Sequence, residues 1–354
     1  MKYSVAFASE VDSWRWVVRA EELGFHAAWF YDTQLLNPDV FVCMALAAAK
    51  TQRIRLGTGV IVPSNRIEPV TANGLATLNK LAPGRIDFGV GTGFTARRTM
   101  GLGAIKLKDF QIYVERVQKL VRGELVEWDF EGHDRKIQFL NPDLGLINTE
   151  DDIPLWLSAF GPKSKALTAE MGAGWLNFGG MSGAVEGMNG MRDAWLDAGH
   201  KADELKAALF TLGAVLTGDR DEDDKRLMAQ AGPLAAVTLH NLSDDVGAMN
   251  GQVAQGPLAQ LHDAYMQAHA RYEPEDARYL NNHRGHLMFV REEEKPLYSS
   301  EFIRAFSMSG TKDELVRNMR ALRDAGYEQI VVQLVHGHES AIEDWAEVFR
   351  ALDD

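Results

Sequence analysis

Strand-like apolar runs and helix-like segments alternate eight times along this chain. That count predicts an α/β fold, a TIM-like (β/α)8 barrel with a long excursion before its last unit. Two further observations point the same way. The 354 residues exceed most single domains but suit one large barrel. No glycine loop follows the first strand, as it usually does in a doubly wound open sheet, which leaves that fold as the runner-up.

Taken in order, residues 3–9 (YSVAFAS) read as the first strand. Residues 12–23 place Trp14, Val17, Val18, Ala20 and Leu23 on one helical face, with Gly24 as the C-terminal stop. Residues 27–32 (AAWFYD) are a second strand, and the alanine-rich stretch 37–51 its helix. A third strand covers 54–63 (IRLGTGVIVP), followed by a helix over 70–81 that Pro83-Gly84 closes. The fourth strand is 85–93 (RIDFGVGTG). A long helix over 107–122 and a hairpin over 125–139 follow. The rhythm then resumes with strands at 154–160, 174–179 and 207–217, and helices at 164–171 and 184–198. Between 219 and 309 it loosens: 219–226 starts a solvated helix, 252–271 is helix-like, and 272–300 is polar and turn-rich. This stretch reads as an insertion over the barrel mouth, within a single domain spanning 1–354. The eighth strand is 329–335 and its helix 341–352.

Composition narrows the function. The balance of 37 basic against 50 acidic residues leaves a net charge of −13, which disfavours nucleic acid and anionic membrane as partners. One cysteine, Cys43, excludes an internal disulfide framework and a cysteine metal cluster. The opening Met-Lys-Tyr-Ser has no basic segment leading into an apolar one, and no apolar run approaches about 18 residues. The expectation is a cytoplasmic enzyme acting on a small molecule.

In a barrel, functional groups gather at the C-terminal ends of the strands. There the chain offers Asp32 and Gln34 after strand two, and Thr58-Gly59-Val60 in strand three. After strand four come Thr92-Gly93-Phe94, then Arg97 and Arg98, which suit an anionic cofactor tail. Ser158-Ala159-Phe160-Gly161, leading into Ser164 at a helix N-terminus, has the backbone donors and hydroxyls of a phosphate cradle. Asp32 serves equally well as a cap or an ion-pair partner. His283 and His286, late in the insertion, reach the mouth if the insertion folds over it. His336 and His338 follow strand eight, but no acidic partner is evident, so no metal site is assigned. The glycines after strand four lack the spacing of a dinucleotide fingerprint. Residues alone thus reach a barrel enzyme with a phosphate-bearing ligand.

Four segments add a family likeness. Leu81-Ala-Pro-Gly-Arg85-Ile-Asp-Phe-Gly-Val-Gly-Thr-Gly93, Leu56 to Pro63, Pro154 to Pro162, and Ser309 to Leu315 resemble, in order, segments of the bacterial luciferase-like flavin- and F420-dependent oxidoreductases. Ala28 to Gln34, and Arg98-Thr-Met-Gly101, look most like the branch of the methylene-tetrahydromethanopterin reductases. The resemblance implies reduced FMN or F420 at the barrel mouth and a cis peptide in strand three, here Gly59–Val60. By it, Asp32, Thr58, Gly59, Val60, Thr92 and Gly93 line the cofactor ring. Ser158 to Gly161 by the same matching approach the tail; on their own chemistry Arg97, Arg98 and Ser164 join them, and Gln34, Phe94, His283 and His286 are the candidates for the substrate pocket. The chain departs from relatives that carry histidine after the strand-two acid and glutamate after the strand-four glycines. Thr33-Gln34 and Phe94 stand there, so those acid–base roles do not carry over and no catalytic residue is assigned. The family also implies a homodimer and, for FMN chemistry, a separate flavin reductase. The preferred expectation is a two-component monooxygenase using reduced FMN and O2. The alternatives are an F420-dependent reductase or dehydrogenase and a non-catalytic flavin-binding barrel.

Overall fold

The computed structural model describes residues 1–244 and 256–353. Eight parallel strands close into a barrel: β1 (Lys2–Phe7), β2 (Ala27–Phe30), β3 (Arg55–Thr58), β4 (Ile86–Val90), β5 (Leu155–Ser158), β6 (Gly174–Phe178), β7 (Ala207–Thr211) and β8 (Gln329–Leu334). Each strand pairs with its neighbours in this order, and β8 returns to β1 in register from Gln329 opposite Lys2 to Leu334 opposite Phe7. The expected (β/α)8 barrel is the fold.

Large aromatic side chains fill the barrel interior. Trp29 meets Trp156 edge-on at 5.8 Å and Phe210 at 5.3 Å. Two glycines make the room: a Cβ on Gly57 would sit 2.3 Å from the Trp29 ring, and one on Gly174 2.3 Å from that of Trp156. A second core lies between the strands and the helices, built from residues such as Val17, Met44, Leu75, Val114, Met188, Leu315 and Trp345. A fully buried side chain of this size stabilises the fold by about 1.5–3 kcal/mol. The C-terminal helix Ile342–Asp353 packs against the barrel, stacking Phe349 on Tyr3 at 4.3 Å.

Several elements differ from expectation. Strand three ends at Thr58, five residues early: the Gly59–Val60 bond is cis, and beyond it Ile61 makes only an isolated bridge to Val90. Strand seven ends at Thr211. Val215–Leu216 leaves the barrel to pair with Gly310–Thr311, because the chain passes so close to Met308 that a Cβ on Gly213 would lie 1.8 Å from its carbonyl oxygen. A short helix, Phe94–Arg98, continues the strand-four glycines. The hairpin is as expected, Val126–Phe130 against His133–Ile137.

The stretch after Leu216 contains helices Arg220–Gln230, Gly232–Leu242, Pro257–His269, Tyr279–Asn282 and Ser300–Phe306. The helix expected over 252–271 is seen as Pro257–His269, and its first residues, 252–255, lie outside the described residues. These helices enclose a core of their own around Leu227, Leu239, Tyr265 and Ile303. Leu234, Val237 and Leu287 instead join the barrel's inner cluster with Trp29, Tyr31 and Val335. Gln333, at the end of β8, donates its Nε2 to the Leu287 carbonyl at 2.6 Å and accepts from the Tyr31 hydroxyl at 3.0 Å. Leu234, Val237 and Leu287 of this stretch therefore pack against the inner barrel cluster, and Leu287 is bonded to the end of β8. Among the described residues, no helix is long and apolar enough to cross a membrane.

Candidate active site

The strand ends of β3 to β6 carry partly exposed residues. Val60, Thr92, Ser158, Phe178 and Gly179 sit partly exposed at the ends of these four strands. Val60 and Ser158 flank Gly91, where a Cβ would fall 2.8 Å and 3.3 Å from their side chains. Gly93 adopts a left-handed φ of 88°, which turns the chain from β4 into the helix Phe94–Arg98. The side of the mouth thus offers small and apolar surface.

Asp32 anchors one corner. It is 5% exposed, and its Oδ2 accepts from Arg66 Nη1 at 2.7 Å and Asn65 Nδ2 at 3.1 Å. Asn65 and Arg66 lie just beyond β3, so the carboxylate clamps the ends of two adjacent strands. Asn65 Oδ1 and Gln34 Oε1 are buried acceptors with no hydrogen-bond partner, while Gln34 Nε2 donates to the Ala96 carbonyl. Two unmet acceptors beside a neutralised carboxylate fit a ligand that brings N–H or O–H donors.

Other residues singled out in the sequence take different places. Thr58 turns inward: its hydroxyl donates to the Gly89 carbonyl at 2.7 Å and accepts from the Gly89 N–H at 3.0 Å. Gly59 stays partly exposed beside Phe210 and Tyr31. Arg97 donates to the Gly103 carbonyl. Arg98 is 2% exposed, paired with Asp244 at 2.9 Å and Asn241 at 2.8 Å, with its guanidinium 3.4 Å above the Phe94 ring. Burial lowers its pKa, although Asp244 opposes that shift. After β5, Ala159 is buried and Phe160 and Gly161 are exposed, and the Ser164 hydroxyl donates to the Gly161 carbonyl at the start of helix Pro162–Glu170.

Of the two insertion histidines, His286 contacts the barrel side, at Thr95, whereas the partner of His283 is Asp244, within the insertion itself. His283 Nε2 lies 3.2 Å from Asp244 Oδ2, and His286 Nε2 lies 2.9 Å from the Thr95 hydroxyl. The Nδ1 atoms of both are buried without a hydrogen-bond partner. Burial holds the His286 pKa well below its ordinary value, and His283 and His240 add to the effect, so the ring is neutral. His336 corrects the reading that it has no acidic partner. Glu10 lies 2.6 Å and Glu339 3.9 Å from its Nδ1.

Sequence reasoning missed Asn65, Arg66, Asp244, Leu287 and Gln333. A signal existed for Arg66. In a barrel the ends of consecutive strands adjoin, so a cation just past strand three is the natural partner of an acid just past strand two.

Known proteins share this sequence pattern and fold. The chain is 27% identical over 350 residues, covering 94% of itself and 92% of its counterpart, to 5,10-methylenetetrahydromethanopterin reductase of Archaeoglobus fulgidus. Over 177 residues, 46% of this chain and 50% of the other, it is 32% identical to an F420-dependent glucose-6-phosphate dehydrogenase of Beutenbergia cavernae. Its fold matches that of the coenzyme F420-dependent tetrahydromethanopterin reductase of Methanopyrus kandleri with a TM-score of 0.69, at 21% identity, over 98% and 97% of the two chains. The sequence profile of the luciferase-like monooxygenase family spans residues 12–329, and the chain belongs to that family.

Proposed function

We propose that this chain is an F420-dependent oxidoreductase that moves hydride to or from a carbon of a small organic substrate. The broad class is firm: the protein is an oxidoreductase of the luciferase-like family with FMN or F420 as cofactor. F420 is chosen because similarity to a methylenetetrahydromethanopterin reductase runs through 94% of the chain, and because an F420-dependent glucose-6-phosphate dehydrogenase is 32% identical over 46% of it. The observation that carries the site is the set of partly exposed, small and apolar strand ends of β3 to β6 together with two unmet acceptors, on Asn65 and Gln34.

The residues present fit such a group. Gly59, Val60, Thr92, Gly93 and Ser158 would hold the flat ring, and Ser158 to Gly161 with Ser164 the tail. Asn65 and Gln34 would accept from the ring's donors, with Asp32 fixed behind them by Arg66. When bound, F420 supplies the hydride chemistry. The protein orients the partners and excludes water. Leu234, Val237 and Leu287 pack against the inner barrel cluster, and Phe94, braced by Arg98, forms an apolar wall for substrate. No histidine or glutamate stands at positions 33, 34 or 94, so hydride transfer here relies on positioning rather than on proton transfer from those positions.

The second reading is a reduced-FMN monooxygenase served by a separate flavin reductase, and the name of the matched family favours it. In either case we place the protein in the cytoplasm as a single-domain chain with its cap built from 219–309. We also propose a homodimer, since Val42, Ile67 and Val70 leave an apolar face exposed on and beside helices Val40–Lys50 and Glu68–Leu81. Anaerobic titration of the purified protein with F420, FMN and reduced FMN, followed by fluorescence, tests the choice. Tight F420 binding with weak FMN binding supports hydride transfer. Preferential binding of reduced FMN, followed by oxygen consumption on admitting air, replaces it with the monooxygenase.

A further inference from the structure

A cluster on the rim of the mouth lies outside the site described above. Because β1 and β8 close the barrel, Glu10, just past β1, and His336, just past β8, are brought together from opposite ends of the sequence. Gly337, at a φ of 78°, turns the chain so that Glu339 comes back toward the imidazole. Glu10 is held in place by the mutual hydrogen bonds of its backbone with Ser13, both 3.1 Å. His336 Nδ1 and one oxygen from each carboxylate all lie within 4.8 Å of one another. Among the described residues, no lysine or arginine forms an ion pair with Glu10 or Glu339. Two carboxylates therefore share a single imidazole, which neutralises at most one of them.

The same imidazole lines a cavity of about 800 Å3 between helix Arg220–Gln230 and the segment Met288 to Val290, with Lys225, Phe289 and His338 also in its wall. We propose that Glu10, His336 and Glu339 bind a divalent first-row transition metal through one nitrogen and two oxygens, with its remaining coordination positions open to this cavity. Such a donor set is typical of Zn2+ and Mn2+. Metal–ligand bonds of about 2.1 Å at tetrahedral angles put donor atoms about 3.4 Å apart. The shortest separation here is 2.6 Å and the largest lies within 4.8 Å, so small side-chain shifts bring the three atoms to that spacing. Three protein ligands leave room for an oxygen of a carboxylate, phosphate or hydroxyl compound occupying the cavity.

The test uses the full chain with metal alone: Zn2+ by calorimetry and Mn2+ by paramagnetic resonance, for the native protein, His336→Ala, Glu339→Gln and His338→Ala. The native protein and His338→Ala are expected to bind one equivalent with equal affinity. Affinity is expected to fall about 100-fold in His336→Ala and at least about tenfold in Glu339→Gln. Thermal unfolding of each metal-free variant shows whether it is folded. If His336→Ala is not, Glu339→Gln carries the comparison. No binding by the native protein, or binding that the folded variants leave unchanged, overturns the proposal.

Discussion

The ion pair between Asp32 and Arg66 gives the site its most specific energetic signature. The two side chains are 4% and 14% exposed, and their atoms meet at 2.7 Å. Replacing Arg66 by alanine leaves the carboxylate buried with only Asn65 Nδ2, at 3.1 Å, as a side-chain donor. Breaking a buried pair by removing one partner costs about 3–5 kcal/mol, and the remaining amide places this case near the lower end, about 3 kcal/mol. Asp32→Ala costs less, about 2 kcal/mol, because Arg66 keeps Asp39 at 2.6 Å and that acid is 48% exposed to water. The double variant therefore loses less than the sum, by a coupling of about 1–2 kcal/mol. Urea unfolding followed by tryptophan fluorescence gives all four free energies, provided the denaturant slope is unchanged. Equal losses in the two single variants, or strict additivity in the double, would refute the view that this pair clamps the β2 and β3 ends.

Three other outcomes follow from the packing and the charges. Gly57→Ala drives a methyl to 2.3 Å from the Trp29 ring, so it lowers stability by about 3 kcal/mol, read as a lower melting temperature; an unchanged melting temperature contradicts the packed interior. Burial alone would raise the pKa of Glu294, but His240 and Arg291 outweigh it and bring the carboxyl down to about 2 from an ordinary 4.5. Its stabilisation is thus fully present above about 4.5 and is lost as pH falls toward 2, so Glu294→Gln is less stable at pH 7 by about 1–3 kcal/mol and the gap closes with acid; a gap independent of pH contradicts this. His286, held neutral by burial, keeps the ring shifts of a neutral imidazole in NMR spectra at pH 6, whereas a charged ring there would mean that the cap does not bury it.

The eight strands were legible because each carries an apolar run bounded by turn residues, and their order follows from the alternation with helices. Their ends were not. Ile54 to Pro63 stays apolar beyond Thr58, so pattern alone could not show the chain leaving the sheet at Gly59. Ala207 to Thr217 hides the exit at Leu212 for the same reason. The cap was visible only as broken rhythm. Leu234, Val237 and Leu287 lie among ordinary helix and loop residues, and it is their contact with the barrel interior that gives them a role. Asp32 was legible as a strand-end acid, but its pairing depends on two strands lying side by side. Arg98 reads in the sequence as suited to an anionic cofactor tail, and what it pairs with is Asp244, 146 positions away. Barrel closure brings Glu10 to His336, and no local pattern announces that contact.

The central claim is that the partly exposed strand ends of β3 to β6 hold the deazaflavin. Ser158 is partly exposed there, so Ser158→Trp fills that space with little disturbance to the core. F420 titrated into the native protein and into this variant, with melting temperatures measured alongside, tests the claim most directly. The account predicts tight binding by the native chain and a loss of at least about tenfold, or about 1.4 kcal/mol, in a variant that melts normally. Equal F420 affinity in the two proteins would contradict it and move the cofactor elsewhere on the molecule.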